Sequence, residues 1–176
     1  MIQIKNLGYA YDSKGSAGNY VLKNINMSLE EGRIYGLLGE NGVGKTTLLT
    51  LLCGLKKPLC GSIDTDGLKP YDREPSLLGS QYYLSDEVAA MNMKAREYAD
   101  NYGRFWGGFD MEKFIEIMGV FENDPQQKMN RMSFGQLKKT YIAFALACNT
   151  KYLFMDEPTN GLDIPSKAQF RKAMMK

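Results

Sequence analysis

Eight consecutive residues of this 176-residue chain carry its most pointed chemistry. Gly39, Glu40, Asn41, Gly42, Val43, Gly44, Lys45 and Thr46 fit the spacing G-x-x-x-x-G-K-[ST] in full. Glycines let the main chain curl so that successive N–H groups point inward, which makes a nest for phosphate oxygens. A helix beginning near Lys45 adds the positive end of its dipole. Lys45 has the reach and charge for β- and γ-phosphates, and the Thr46 hydroxyl can ligate Mg²⁺. The chemistry implied is the binding of a nucleoside triphosphate.

A second constellation is Tyr152-Leu153-Phe154-Met155-Asp156-Glu157. Four apolar residues carry a carboxylate to the end of a buried strand, and such ends line the ligand crevice of a parallel sheet. Asp156 would hold Mg²⁺ directly or through water. Glu157 could polarise an attacking water as general base. By itself an apolar run ending in two acids is commonly a solvated strand end. Beside a full phosphate loop it reads as part of a site. The third segment, Met132-Ser133-Phe134-Gly135-Gln136, has the Ser-x-x-Gln pattern of a capping box. A capped helix start is also an anion site, and the two readings are compatible.

These groups need elements to hold them. Ile2, Ile4 and Leu7 nearly alternate, as in a first strand, and residues 12–19 read as a loop. Val21, Leu22, Ile25, Met27 and Leu29 suggest a second strand, and Arg33 to Leu38 a short buried one leading into the glycine turn. Lys45 to Leu55 has leucines at helical spacing. Ser62–Thr65 and Ser80–Leu84 are further strand candidates. Beyond residue 86 helical patterns take over. One helix is capped by Asp110, another opens at Ser133 and runs to about Cys148, and a last one follows Asp163. Tyr98, Phe105 and Trp106 read as core before they read as a partner surface.

Composition bounds the alternatives. Apolar residues make up 44% and charged residues 24%, which suits a globular domain and excludes wholesale disorder. With 22 basic and 20 acidic residues, the net charge of +2 makes no case for nucleic-acid binding. The longest apolar run, Tyr141 to Cys148, is far short of the roughly 20 residues of a membrane span. Cys53, Cys60 and Cys148 read as small core residues in a reducing compartment. The chain has no His, which excludes Ser-His-Asp and Cys-His catalysis and any His-ligated metal.

The order of motifs resembles the nucleotide-binding domain of ABC transporters. Met132 to Gln136 stands where that family has its LSGGQ signature, and Gln136 precedes Asp156 by 20 residues, the family's spacing. Pro158-Thr159-Asn160-Gly161-Leu162-Asp163 resembles the D-loop, and Asp163 matches its aspartate. Tyr11 stands where the family places an aromatic that stacks on adenine. Asn160 to Arg171 and Phe144-Ala145-Leu146 look most like ATPase subunits of gut anaerobes that serve ABC-2-type permeases. The resemblance covers essentially the whole chain.

It implies an α/β fold: a P-loop NTPase core with a mixed sheet, plus a small helical subdomain. The core lobe would be about 1–85 and 151–176, and the helical subdomain about 86–150. ATP and Mg²⁺ are the implied cofactors. The nucleotide set is Tyr11, Gly39 to Thr46, Thr47, Asp86, Ser133, Gly135, Gln136 and Asp163. On this resemblance Glu157 and Lys45 would act in catalysis, and Thr46 and Asp156 would hold the metal. A membrane-spanning permease and a second nucleotide-binding domain, paired head to tail as a homodimer or with a similar partner, are the implied partners. The implied location is the cytoplasmic face of the cell membrane.

Three departures stand out. Phe134 replaces the first signature glycine. For the Q-loop, Gln81 is the nearest Gln, while counting back from Glu97-Tyr98 puts Asp86 or Glu87 in register, and the acidic pair is the reading adopted. The family's switch histidine has no counterpart before Lys176, so the chain is expected to be a C-terminally truncated one. The rival readings are a soluble ATP-driven switch of the same fold without a permease, and an ATP-binding fragment with impaired turnover.

Overall fold

The computed structural model describes residues 1–12 and 20–175, and these divide into two units, Met1–Leu78 and Gly79–Lys176. The loop expected over 12–19 therefore lies, apart from Asp12, outside the described residues.

In the first unit an antiparallel sheet has the order β2-β1-β3, with β1 at Ile2–Tyr9, β2 at Leu22–Leu29 and β3 at Cys60–Thr65. The imperfect alternation of Ile2, Ile4 and Leu7 has a structural cause. Asn6 takes a left-handed φ of 49°, and the register to both neighbouring strands shifts there. This bulge inserts one residue, so that Leu7 returns to the buried face with Ile2 and Ile4. Gly61 sits opposite at φ 76°, where a Cβ would lie 2.3 Å from the Asn6 carbonyl oxygen. Only glycine fits that approach.

Helix α1 spans Lys45–Leu52 and buries Thr47, Leu48, Thr50, Leu51 and Leu52. It stops three residues before the expected Leu55. The Gly54 N–H donates to the Leu51 carbonyl at 3.1 Å and the Leu55 N–H to the Thr50 carbonyl at 2.9 Å. That pair of bonds, with Gly54 at φ 70°, is a Schellman ending.

The expected buried strand at Arg33–Leu38 is not formed. The segment joins no ladder, and Ile34 and Leu38 are 84% and 92% exposed. Apolar content marks a segment fit for burial in a sheet, but burial also requires a neighbouring strand. The three-stranded sheet of this unit adds none on its outer edges.

The second unit pairs β4 (Gln81–Leu84) with β5 (Tyr152–Met155) in parallel, from Gln81 opposite Tyr152 to Leu84 opposite Met155. A parallel pair needs a long crossover. Here it contains helices α3 (Ala95–Gly103), α4 (Met111–Val120) and α5 (Phe134–Ala147). A short helix α2 (Pro75–Gly79) precedes β4, and α6 (Ile164–Ala173) follows β5. The Asp110 carboxylate caps α4 by accepting from the Lys113 N–H at 3.0 Å. The capping box at Ser133 is also present: the Gln136 N–H donates to Ser133 Oγ at 3.2 Å, and the Ser133 N–H to Gln136 Oε1 at 2.9 Å.

The core of this unit centres on Phe114, Phe121, Met129, Ile142 and Phe144. Phe144 meets the rings of Tyr82, Tyr98, Trp106 and Phe109 at centroid distances of 5.0–5.8 Å. Tyr98 is thus a core residue, as expected, and Trp106 is half-buried against the core, whereas Phe105 is 67% exposed. One cysteine expectation fails, because Cys60 is exposed while Cys53 and Cys148 are buried. Cys60 opens β3 on its uncovered face.

Candidate nucleotide site

In the first unit Gly44 has φ 105° and stands at the N-cap of α1, where a Cβ would come 3.0 Å from Leu22 Cδ2. Glycine is needed there for both its φ and its lack of side chain. Among the described residues no side chain caps this helix. Lys45 Nζ donates to the Gly39 carbonyl at 2.9 Å and to the Glu40 carbonyl at 3.1 Å. The ammonium therefore lies across the mouth of the turn formed by Gly39, Glu40, Asn41, Gly42 and Val43. Gly39 to Val43 are exposed, as is Thr46, whereas Thr47 is buried.

Tyr11 reaches this helix. Its hydroxyl lies 2.8 Å from Thr47 Oγ1 in a hydrogen bond, while 63% of the residue is exposed. Tyr9 packs against it edge-on at 5.3 Å, and Lys56 Nζ stands 4.4 Å from its ring centroid. Sequence reasoning gave Tyr11 a role but missed Lys56, which follows the helix in a Leu-Lys-Lys-Pro turn and carries no motif.

In the second unit Asp156 directly follows β5, its N–H donating to the Leu84 carbonyl at 2.9 Å. Its side chain is buried, and the Tyr83 hydroxyl is 3.4 Å from Oδ2. Glu157 is exposed and takes a left-handed φ of 44°, turning the chain out of the strand. Ser133 and Gln136 serve the capping box, with Gly135 beside them in the first turn of α5. Asp163 caps α6, Oδ1 accepting from the Ser166 N–H at 2.8 Å. The Ser166 hydrogen bonds hold its carboxyl below the usual range.

Asp86 is the centre of a network the sequence did not reveal. Lys138 Nζ donates to both its carbonyl oxygen and Oδ1 at 2.8 Å, and Asn160 Nδ2 to Oδ2 at 3.2 Å. Lys138 is fully buried, whereas the Asp86 side chain is 37% exposed. The hydrogen bond from Lys138, aided by Asn160 and opposed by burial, keeps the Asp86 carboxyl below its ordinary value. Glu87, its alternate in that register, is exposed, and Gln81 is buried in β4. A signal for Lys138 did exist. It shares a helical stripe with Tyr141, Ile142 and Ala145, all buried.

The donor chemistry suits the expected metal. Thr46 in the first unit and Asp156 in the second each carry the kind of hard oxygen that Mg²⁺ takes. Among the described residues no helix is long and apolar enough to cross a membrane.

The fold is that of an α/β P-loop NTPase. The ABC transporter family profile matches residues 22–160, and the chain belongs to that family. It is 32% identical over 178 residues to the ABC transporter ATP-binding protein MJ1508 of Methanocaldococcus jannaschii, covering 94% of this chain and 79% of that protein. It is 28% identical to YtrB of Bacillus subtilis, an ABC transporter ATP-binding protein, over 99% of this chain but 58% of YtrB's length. Among solved structures, the dimeric bacterial ABC transporter cassette MJ0796 matches with a TM-score of 0.82 at 25% identity, over 99% of this chain and 81% of that one. A second structure of MJ0796, in a post-hydrolysis state with ADP and Pi, gives 0.83 at 25% identity, over 99% and 81%.

Proposed function

We propose that this chain binds ATP and hydrolyses it with Mg²⁺ as the energy-coupling subunit of an ABC transporter. The observation that carries the reading is the Gly39–Thr46 turn, with Lys45 bent over its carbonyls at the start of α1. Such a turn binds phosphate through main-chain N–H groups and one mobile ammonium.

Gly39, Glu40, Asn41, Gly42, Val43 and Gly44 supply that main chain. Lys45 exchanges its carbonyl partners for the β- and γ-phosphates. Thr46 and Asp156 hold Mg²⁺, which when bound neutralises charge on the phosphate oxygens. Thr47 donates a hydrogen bond to the α-phosphate, and Tyr11 stacks on the base. Glu157 takes a proton from the attacking water. Asp86 stands at the γ-phosphate in the Q-loop role. Ser133, Gly135 and Gln136 contact the nucleotide of a second copy arranged head to tail, with Asp163 beside them. The lobes of this reading are a core of about 1–85 and 151–176 and a helical subdomain of about 86–150. Loss of the bridging phosphate opens the pair and moves a permease at the cytoplasmic membrane face. Support comes from membership of the family and from the dimeric cassette it is similar to.

The test is nucleotide binding by titration calorimetry. Lys45→Ala should abolish Mg²⁺-dependent ATP binding, and Glu157→Gln should keep binding while stabilising an ATP-bound dimer. ATP affinity unchanged in the Lys45 variant would refute the site.

A further inference from the structure

Three contacts, all within the first unit, hold the ring of Tyr11. Its hydroxyl meets Thr47 Oγ1 on α1 at 2.8 Å. Tyr9, the last residue of β1, stands against it at an interplanar angle of 86°. The Lys56 ammonium lies over the ring, 4.4 Å from its centroid and 5.6 Å from that of Tyr9. The main chain of Lys56 is anchored as well, its N–H donating to the Thr50 carbonyl at 3.3 Å in the turn that ends α1. Ordering an exposed side chain costs rotamer entropy. A ring that is 63% exposed and still held at three points is therefore set for a purpose other than filling the core. Lys57, one residue on, lies instead over Tyr71, 5.6 Å from its centroid.

We propose that Lys56 is a positioning residue for the base: its ammonium takes one face of the Tyr11 ring and leaves the other as the platform for adenine. This rests on the stacking role given to Tyr11 above. The face of an aromatic ring carries partial negative charge, and two such faces repel when stacked squarely. A cation on the far side of the tyrosine offsets that repulsion. It also ties the ring to the turn after α1, so that the platform keeps one orientation relative to the glycine turn at the other end of the same helix. Lys56 does not touch the nucleotide. It sets the pose and the charge of the ring that does.

The test separates base from phosphate. Calorimetry gives Kd for Mg-ATP and for Mg-tripolyphosphate, which carries phosphates without a base, on the full chain under non-turnover conditions. Lys56→Gln should weaken ATP relative to tripolyphosphate by about two- to fivefold, the range for one cation–π contact at an exposed position. Lys56→Arg keeps a cation over the ring and should keep the wild-type ratio. Lys57→Gln removes the same charge one residue away and should also leave the ratio unchanged. In a Tyr11→Ala chain, Lys56→Gln should shift the ratio no further.

Tripolyphosphate affinity serves as the control for folding. Equal weakening of both ligands by Lys56→Gln would make Lys56 a general attraction for phosphate and overturn the proposal. An unchanged ratio, a gain for ATP, the same loss in Lys56→Arg, or the same loss in the Tyr11→Ala chain would overturn it too. Wild-type protein that binds tripolyphosphate as tightly as ATP overturns the stacking role of Tyr11, and the proposal with it. Wild-type protein that binds neither ligand overturns the proposed function itself. A wild-type preference for ATP that Lys56→Gln leaves intact overturns only the role of Lys56.

Discussion

The ring of Phe134 lies directly over the main chain of Gly161: a Cβ at Gly161 would stand 2.5 Å from Phe134 Cε1. The two residues belong to segments 27 positions apart, the first turn of α5 and the loop after β5. An aromatic that departs from the family's signature thus has a matching partner, a residue without a side chain at φ 73°. Gly161→Ala should destabilise the chain for two reasons. The left-handed φ costs about 1–2 kcal/mol for a residue with a Cβ, and the methyl displaces the ring. Phe134 is 52% exposed and can swing away, so the φ cost should dominate. In urea unfolding, Phe134→Ala should leave most of the Gly161→Ala penalty in place. Complete rescue would mean that steric contact, and not backbone strain, fixes the glycine.

The Tyr11 hydroxyl and ring should separate experimentally. Tyr11→Phe loses only the bond to Thr47 Oγ1, worth about 1 kcal/mol or less. Its ATP affinity should fall by no more than about fivefold. Tyr11→Ala removes the stacking face as well, and base–aromatic stacking is worth about 1–3 kcal/mol. Calorimetric titration with ATP reads both. Equal losses in the two variants would assign Tyr11 to holding α1 and not to the base.

Thiol reactivity should report burial directly. Burial pushes the Cys148 thiol up to about 12 and the Cys53 thiol higher still, and a protonated buried thiol is inert. Cys60 is exposed. A colorimetric disulfide reagent should therefore titrate one thiol in the native chain and all three in denaturant. Fast native reaction of Cys53 or Cys148 would show local opening of the element that covers it.

Acid stability should depend on Asp86 and Asp163, both held below the ordinary value of 3.8. For a depressed carboxyl, the stabilisation is complete above the unfolded-state value and is lost as pH falls through the lower folded-state value. The urea midpoints of wild type and Asp86→Asn should therefore differ by a constant amount above about pH 5 and converge below 3.8. With no His in the chain, no imidazole adds a step near pH 6–7. A difference that grows on acidification would overturn the pairing with Lys138.

Much of this was legible in residue order. The phosphate turn, the apolar strand with Asp156 at its tip, and the caps at Asp110, Ser133 and Asp163 all depend on neighbours within a few positions. Local chemistry settles such features: a hydroxyl three residues before a free N–H, or a glycine where φ must be positive. Arg33–Leu38 was misread because a strand is defined by its partner, and apolar content carries no information about which edge is open. The Schellman end of α1 was missed because a run of leucines continued past Gly54.

The sequence by itself determined the glycine turn before α1 and the family, since both are written in short spacings. Tertiary structure alone decided that Lys138 is buried against Asp86, that Asn160 joins them, and that Phe134 covers Gly161. These pairs lie 27 to 74 residues apart. Their free energy comes from desolvation and close packing between distant segments, which have no signature until the chain has folded.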